Sequence, residues 1–334
     1  MDTRTIARIC FYLKLHKLAY FLTRERKRVI TFHNVLSDDV FINNVANGVS
    51  CSLSSFKQII EEIATVYPFS LDLDNPSTVT ITFDDGYNNQ AEIAGNYLIE
   101  RGIPAYLFLS GQLIKGGGNE SETLIIDKLL HWISYVPADE YSIQINGGLS
   151  TTITINDDNR NRMWSELIWP LFLEDKQHKG QTVLNSLDQA YPYSKILERL
   201  KRKYINQRLE GITVWQLEKL KQHGWQIGWH THSHYPVSLL NHKESSFELT
   251  PNPICDSTVF SYPYGGAKDA DAASVEILKS KGFRTAVSNI NIGNRHLGLW
   301  YRSRMSLPAD RYLLHFELSG LKYLLKYTKL LPEI

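Results

Sequence analysis

The sequence predicts an α/β fold in which roughly seven parallel strands form a barrel or a strongly curled sheet. Short apolar runs rich in β-branched and aromatic residues recur along the chain, as is typical of strands that are buried on both faces. Amphipathic helical segments lie between many of these runs, and this alternation indicates a parallel sheet with crossover connections. The 334 residues, of which 43% are hydrophobic, are enough for a core of that size.

The predicted strands are short and are separated by turns. They are Val29–His33, Val79–Phe83, Ala105–Leu109, Gln226–Trp229, Val259–Tyr262, Thr285–Val287 and Tyr301–Met305. Helices are predicted over Ser54–Val66, Asn89–Arg101 and Val214–His223, because apolar residues recur there at helical spacing. The last two of these segments each end directly before a glycine, which is a common helix stop.

The alternation of strands and helices stops at about 117–210, and we expect an insertion there. It contains two alternating segments, YSIQI and TTITI, on either side of Asn146-Gly147-Gly148, and this pattern predicts a β-hairpin. Polar helical sequence follows the hairpin. The barrel domain with its insertion is therefore expected to span residues 28–310.

Both ends of the chain, residues 1–27 and 311–334, are predicted to be amphipathic helices. Lys14 and Lys17 interrupt the first apolar run, which is far shorter than the roughly 20 residues of a membrane span, and no signal-peptide cleavage site follows it. This helix either docks on the barrel or lies on an anionic membrane surface beside the basic run at 24–28. The expected location is cytoplasmic, with a peripheral position at the inner face of the membrane in the second case.

The charge balance limits the partners of the protein. Lys and Arg number 36 and Asp and Glu number 35, which gives a net charge of +1. No nucleic-acid partner is expected, because the chain lacks a strongly basic field that would hold phosphates. The three cysteines are far apart and predict neither a disulfide framework nor a metal-binding pair.

The first motif with catalytic chemistry is TFDDGY at residues 82–87, where an apolar strand ends in two adjacent carboxylates. Carboxylates at the carboxyl end of a barrel strand are typical of active sites in such folds. Two neighbouring aspartates resist ionising together unless a cation lies between them, so a metal would let one coordinate while the other acts as a base. Taken alone, the pair also fits a helix N-cap followed by an acid in the first turn.

The second motif is HTHSH at residues 230–234, directly after another predicted strand. On a helical turn His230 and His234 share a face, whereas in a strand His232 would join them. Thr231 and Ser233 are expected to hold the rings in place. Three histidines so close together at a strand end are hard to explain by packing alone. With Asp85, two of them would give three metal ligands and leave a fourth position for water, as in catalytic zinc sites.

A third motif, YPYG at residues 262–265, places a rigid turn after a further strand. In this order the three motifs resemble those of the NodB-homology polysaccharide deacetylases, carbohydrate esterase family 4. The resemblance covers roughly residues 28–115 and 211–307 and leaves out the insertion and both ends. It implies a distorted (β/α) barrel, a bound divalent ion with Zn²⁺ as the first choice, and an acetylated saccharide as the substrate.

The resemblance also implies roles for individual residues. Asp84 matches the general base, and Tyr264 matches the residue whose backbone N–H holds the oxyanion. The metal ligands are matched by Asp85, His230 and His234.

Ser261 departs from the family pattern, because many members carry there an arginine that orients the catalytic aspartate. Serine cannot supply that charge, and we expect Arg302 or Arg304 to compensate.

Two histidines compete for the role of the general acid. A Leu-x-His phrase that ends at His315 has the letters that most members of the family use, but it lies in the predicted C-terminal helix. His33 ends an apolar strand and should therefore open at the same barrel face as Asp84. The phrase Phe32-His33 also resembles the Tyr-His phrase of permuted members, in which the acid comes early. His33 is accordingly the predicted general acid.

The sequence thus predicts a metal-dependent hydrolase that removes N-acetyl groups, or O-acetyl groups, from a carbohydrate. Surface-polysaccharide or glycolipid biosynthesis is the expected setting. Two alternatives stay open. One is a carbohydrate-binding relative with weak turnover, which only Ser261 favours. The other is an amidohydrolase that acts on a non-sugar amide.

Overall fold

Parallel strands that follow one another around a ring form the centre of the fold. The computed structural model of the chain describes residues 2–116, 122–145, 149–290 and 298–327. Within these residues the strands are β1 (Arg28–Phe32), β2 (Asn34–Leu36), β3 (Ser50–Ser52), β4 (Val79–Asp85), β5 (Ala105–Leu109), β6 (Asp139–Ile145), β7 (Leu149–Ile155), β8 (Gln226–Trp229), β9 (Val259–Ser261), β10 (Thr285–Ser288) and β11 (Arg302–Ser303). Seven of them make one parallel sheet in the order β1-β4-β5-β8-β9-β10-β11.

Met305, just after β11, nearly closes this sheet into a barrel. Its N–H donates to the carbonyl oxygen of Val29 at 2.9 Å, and the Thr31 N–H donates to the Met305 carbonyl at 3.0 Å. The main apolar core includes side chains of the barrel strands, such as Ile30 and Ile81. These contacts confirm the α/β barrel of seven strands that the sequence predicts.

Helices follow most of the barrel strands, as expected for a parallel sheet. The α-helices in the described residues are α1 (Thr3–Tyr12), α2 (Leu15–Leu22), α3 (Leu53–Ala64), α4 (Asn96–Ile99), α5 (Ile125–Tyr135), α6 (Arg160–Met163), α7 (Trp169–Glu174), α8 (Gln181–Ala190), α9 (Tyr193–Glu198), α10 (Arg202–Arg208), α11 (Val214–Gln222), α12 (His242–Glu248), α13 (Ala272–Ser280), α14 (Arg311–Leu318) and α15 (Leu321–Tyr327). Segments Gln90–Gly95 and Trp164–Ile168 are π-helical, and short 3₁₀ turns occupy Val45–Asn47, Gly111–Leu113 and Val237–Leu239.

The predicted strands agree closely with the structure except at the last one. Strands β5 and β8 have the predicted bounds. The expected strand Tyr301–Met305 is reduced to β11, of two residues, and the single bridge at Met305. The predicted helix Asn89–Arg101 begins as a π-helix before it continues as α4.

The insertion folds around a core of its own, in which Leu129 and Trp132 of α5 pack near Ile143 and Ile153 of the hairpin. Strands β6 and β7 pair in antiparallel register, which confirms the predicted hairpin, and its turn at 146–148 lies outside the described residues. Helices α6 to α10 complete the insertion.

The two ends of the chain pack against each other. The single N-terminal helix that the sequence predicts is instead the pair α1 and α2, because Lys14 adopts a left-handed φ of 59°. The predicted C-terminal helix likewise breaks between α14 and α15, where Gly320 has a φ of 77°. Residues 328–334 of that prediction lie outside the described residues. Ala7, Cys10 and Ala19 share an apolar cluster with Phe316 and Leu321.

Candidate active site

The predicted site residues converge at the carboxyl end of the barrel strands. Strand β1 leads to His33, and β4 ends in the two acidic residues. Strand β8 leads to the HTHSH loop and β9 ends at Ser261, opposite Asp84. Because parallel strands end at one edge, four distant sequence segments meet there, as expected for a barrel enzyme.

Asp84 is held by two partners in a buried position. Arg304 donates from Nη1 to Oδ1 at 2.7 Å and from Nη2 to Oδ2 at 2.6 Å, while the Ser261 hydroxyl donates to Oδ1 at 3.0 Å. Burial by itself would raise the pKa of Asp84, but the charge and hydrogen bonds of Arg304 outweigh it and lower that pKa to about 2. Asp84 is therefore an ionised carboxylate with a fixed orientation.

The two arginines that the sequence offered as replacements have different surroundings. Arg304 is fully buried and binds Asp84 in a bidentate manner. Arg302 instead makes a bidentate pair with Asp74 at 2.8 Å and donates to the Thr285 hydroxyl, so it is not a partner of Asp84. The expectation that one arginine compensates for Ser261 thus points to Arg304 alone.

Asp85 and two histidines form the only group of three that could hold a metal among the described residues. Asp85 Oδ1 lies 3.2 Å from His234 Nε2 and 3.5 Å from His230 Nε2, and all three side chains are buried. Neither Asp85 Oδ1 nor His230 Nε2 has a hydrogen-bond partner in the described part of the chain. Buried polar atoms without partners are costly, so their convergence indicates a ligand.

The donor set fits a divalent ion of the zinc type. Bonds of about 2.0–2.1 Å with tetrahedral angles place two ligand atoms about 3.3 Å apart, close to the separations of Asp85 from the two rings. His230 Nδ1 is 2.7 Å from the Ser261 carbonyl oxygen, so this nitrogen carries the proton and Nε2 keeps its lone pair. Burial also lowers the pKa of His230 to about 4, which keeps the ring neutral.

The HTHSH loop is neither the helical turn nor the strand that the sequence left open. Thr231 and His234 both adopt left-handed backbone, with φ of 68° and 58°. This irregular loop brings His230 and His234 to one side, with ring centroids 4.9 Å apart, as the helical alternative predicted. The His232 ring instead packs on that of Phe247, with ring centroids 5.1 Å apart. The helical alternative thus predicted that His230 and His234 lie on one side, although the loop is not helical.

Strained backbone is concentrated at the site. Asp85 and Tyr264 also have positive φ, of 87° and 61°, so four of the six non-glycine residues with positive φ in the described chain belong to the three motifs. Such conformations cost of the order of 1–3 kcal/mol each and persist where the surroundings fix them. Sequence patterns do not show this strain, because none of these residues is glycine.

Glu248 is a supporting residue that the sequence did not indicate. Its buried carboxylate accepts from the backbone N–H groups of His232 and Ser233 at 2.8 Å each, and from the Ser233 hydroxyl at 2.7 Å. Lys179 of the insertion forms an ion pair with the same carboxylate. Thr231 Oγ1 accepts from the His234 N–H at 3.0 Å. The loop that presents the two rings is thus fixed from both sides.

Gln90 is a second supporting residue that the sequence did not indicate. Its amide oxygen accepts from the N–H groups of Gly86 and Tyr87 at 3.0 and 3.1 Å, and its amide nitrogen donates to the carbonyl oxygens of His33 and Asp84. One buried side chain thus joins the end of β1 to the turn after β4. It lies at the start of a π-helical segment, a feature often found at functional sites.

The two candidate acids lie in different places. His33 is partly exposed, and its Nε2 is 3.7 Å from Asp84 Oδ2. His315 lies on α14, where the Tyr20 hydroxyl contacts Nδ1 at 2.9 Å and Glu62 contacts Nε2 at 3.1 Å. Only His33 is therefore at the site.

Tyr264 lies beside the metal-ligand group. Its ring centroid is 4.8 Å from that of His234 and 4.9 Å from that of Trp169, so the insertion reaches the site at this point. The Tyr264 hydroxyl is buried without a partner in the described residues, and burial raises its pKa well above the ordinary value.

Comparison with known proteins gives solved structures of low identity. No protein-family model matches the chain, and no curated protein matches it. The Streptococcus pyogenes deacetylase PplD, solved in complex with acetate, is 12% identical with a TM-score of 0.47, over 85% of this chain and 93% of that chain. IcaB from Ammonifex degensii is 14% identical with a TM-score of 0.49, over 88% and 97%. BC0361, a polysaccharide deacetylase from Bacillus cereus, is 12% identical with a TM-score of 0.45, over 88% and 69%.

Polysaccharide deacetylases are thus among the structures that this chain resembles. At these identities and TM-scores the resemblance does not assign an activity, and the case for one rests on the residues of the site.

Proposed function

We propose that the protein is a metal-dependent hydrolase that removes N-acetyl groups, or O-acetyl groups, from a carbohydrate. The observation that carries this proposal is a fixed, ionised Asp84 directly beside Asp85, His230 and His234. In that group Asp85 Oδ1 and His230 Nε2 have no hydrogen-bond partner among the described residues. A binding protein would need the metal ligands but not a second ionised carboxylate, outside the ligand group, that is fixed beside them. We propose Zn²⁺ as the ion because one carboxylate and two imidazoles are ligands that it accepts.

The residues of the chain would divide the work as follows. A divalent ion, when bound, polarises the acetyl carbonyl and makes water a better acid. Asp84 accepts the proton from the attacking water, and Arg304 keeps it oriented. His33 protonates the leaving amine, which cannot depart as an anion. The Tyr264 N–H stabilises the oxyanion, a role that comes from the family resemblance.

The alternative of a binding relative with weak turnover had a single argument, the serine at position 261. That argument no longer holds, because Arg304, directly after β11, supplies the charge and Ser261 itself donates to Asp84. We therefore propose a competent enzyme.

Acetate release from a panel of acetylated saccharides is the direct test. We expect release that stops after chelation and returns with Zn²⁺ or another divalent ion, at least on one N-acetylated oligosaccharide. Asp84→Asn serves as the inactive control. Activity that survives complete chelation would contradict the metal-dependent mechanism. Acetate release from simple amides but from no saccharide would instead favour the non-sugar amidohydrolase.

The cytoplasmic location and the role in surface-polysaccharide or glycolipid biosynthesis stay predictions. An acetylated glycan that accumulates in a strain lacking the protein would identify the substrate class.

A further inference from the structure

Helices α1 and α2 carry a concentration of exposed apolar side chains. Thirteen large hydrophobic side chains are exposed in the described residues, and seven of them lie in this one stretch. We call these seven the N-terminal apolar face: Ile9, Tyr12, Leu13, Leu15, Leu18, Phe21 and Leu22, which are 37% to 66% exposed. The remaining six are scattered over the rest of the described chain. Exposed apolar side chains are normal singly, but a contiguous group marks an interaction site.

The opposite side of the same helices is docked. Ala7, Cys10 and Ala19 are buried against α14 and α15, and the Thr23 hydroxyl donates to the Ser319 carbonyl oxygen at 2.8 Å. The Arg4 guanidinium also pairs with Asp310 at 2.8 Å. The helices are therefore held on the protein, and the described part of the chain leaves the N-terminal apolar face uncovered. Docking and an outward contact are thus compatible, although the sequence presented them as alternatives.

Cations surround the N-terminal apolar face. Arg4, Arg8, Lys14, Lys17 and Arg24 are exposed on α1, α2 and their ends, whereas the exposed acids there are Asp2 and Glu25. The Arg24 guanidinium lies 5.0 Å from the centre of the Phe21 ring. The whole chain has a net charge of only +1, so this is a local excess of positive charge.

We propose that the N-terminal apolar face binds the surface of a lipid bilayer that contains anionic lipids. Apolar side chains beside cations are the pattern of helices that lie in the headgroup region, with the apolar side in the acyl boundary and the cations at the lipid phosphates. No helix in the described residues is long and apolar enough to cross the bilayer, so the contact is peripheral. A second copy of the chain fits less well, because a two-fold contact would bring like charges together.

The proposed contact lies at the end of the barrel remote from the site. Arg28, the first residue of β1, donates to the carbonyl oxygens of Thr23 and Leu318 at 3.1 Å each. Arg28 is at the amino end of β1. Asp84 and His33 lie at the other end of the sheet, at the carboxyl end of β4 and directly after β1. Membrane binding therefore uses no residue of the site, and the proposal does not depend on the proposed activity.

Flotation of the full chain with vesicles tests the proposal. We expect binding to phosphatidylcholine vesicles that contain about 30% phosphatidylglycerol, much weaker binding to phosphatidylcholine alone, and a loss of binding at high salt. The double variant Phe21→Ser/Leu22→Ser should reduce binding at least tenfold. Its matched control is Ile42→Ser/Trp215→Ser, which removes exposed apolar side chains elsewhere and should bind as the unchanged protein does.

A charge series gives an independent measurement. Lys14→Glu/Lys17→Glu should reduce binding to the anionic vesicles, while Lys176→Glu/Lys243→Glu makes the same charge change on exposed residues elsewhere and should not. Acetate release from a soluble substrate should be equal in all variants. The proposal is wrong if the full chain does not float with anionic vesicles, or if the Phe21/Leu22 variant floats equally well. A concentration-dependent dimer that this variant abolishes, without vesicle binding, would assign the face to a second copy.

Discussion

His230 at the carboxyl end of the barrel and His131 in the insertion are both buried, but their ring nitrogens have different partners. In the insertion, His131 contacts the Asp127 carbonyl through Nδ1 at 2.7 Å and the Tyr204 hydroxyl through Nε2 at 2.9 Å. At the barrel end, His230 Nδ1 contacts a carbonyl oxygen in the same way, but its Nε2 has no partner in the described part of the chain and lies 3.5 Å from Asp85 Oδ1.

This difference separates His131, which completes a network in the insertion, from His230, which is a predicted metal ligand. When both ring nitrogens form hydrogen bonds within the protein, the ring completes a network and has no nitrogen available for a metal ion. When one nitrogen is fixed by a carbonyl and the other faces a carboxylate across a gap, the ring is prepared for an ion. His315, with Tyr20 and Glu62 as partners, belongs to the first kind.

The largest expected effect breaks the barrel-end group. His230→Ala and His234→Ala should lose both the ion and all measurable turnover, whereas Asp84→Asn should keep the ion and lose roughly 10²–10⁴-fold in kcat, because it removes only the base. Elemental analysis of the purified variants gives the metal content. His232→Ala is the matched control in the same loop and should keep the metal, because its ring packs on Phe247. Full metal content in both ligand variants would show that the assigned ligands are wrong.

The next effect compares His33 with His315. On an acetamide, His33→Ala should lower kcat by roughly 10²–10⁴-fold, but on an activated phenyl acetate the loss should be small, because a phenolate leaves without protonation. His315→Ala should affect neither substrate more than a few-fold. It should instead lower stability, since it removes the contact of the Tyr20 hydroxyl with the ring and one of the two side chains that pair with Glu62. The reverse pattern would move the general acid to His315.

A smaller effect is expected for the arginine that holds Asp84. Arg304→Lys keeps the charge but loses the bidentate geometry, and we expect kcat to fall roughly 10–100-fold, in line with one charged hydrogen bond, with KM little changed. Arg302→Lys is the matched control, because it is two residues away and pairs with Asp74. The double variant Arg304→Ser/Ser261→Arg should be more active than the single variant Arg304→Ser. Equal losses in the Arg302 and Arg304 variants would contradict a specific role for Arg304.

The sequence predicts the barrel well because each central strand is a continuous apolar run. Strand β11 was overestimated, since a segment of two paired residues leaves almost no pattern. The candidate metal ligands could be predicted because strand ends carry chemistry in such folds. The partners of Asp84 were harder, since Ser261 and Arg304 are 177 and 220 residues away in sequence.

Other features of the site leave no trace in residue spacing. Glu248 and Gln90 look like ordinary polar residues of helical segments, and only the folded chain brings them to the HTHSH loop and the turn after β4. The left-handed backbone of Thr231 and His234 is equally invisible, because spacing arguments assume regular helices or strands.

The smallest expected effect is the pH dependence of stability that comes from His131 in the insertion. It tests the comparison of His131 with His230. Burial lowers the pKa of His131 to about 4 from an ordinary value of 6.5, with a further contribution from the Arg208 charge. The unfolded chain therefore binds a proton more readily than the folded one between these two pH values, so stability falls as the pH drops through that window. At pH 5 this group should cost about 2 kcal/mol relative to pH 7.

Urea unfolding at pH 7 and pH 5 measures this cost. The unchanged protein should lose more stability than His131→Gln by that amount, because glutamine can keep both hydrogen bonds but does not take up a proton. His230 has a lowered pKa as well, so only the difference between the two proteins isolates His131. His223→Gln, at the exposed C-cap of α11, controls for the loss of a histidine as such. If the His131 variant and the unchanged protein lose equal stability, His131 takes up its proton without disturbing its network. Hydrogen bonds to both ring nitrogens would then not indicate a neutral structural histidine. The distinction between His131 and His230 would rest only on the metal content of the His230 variant.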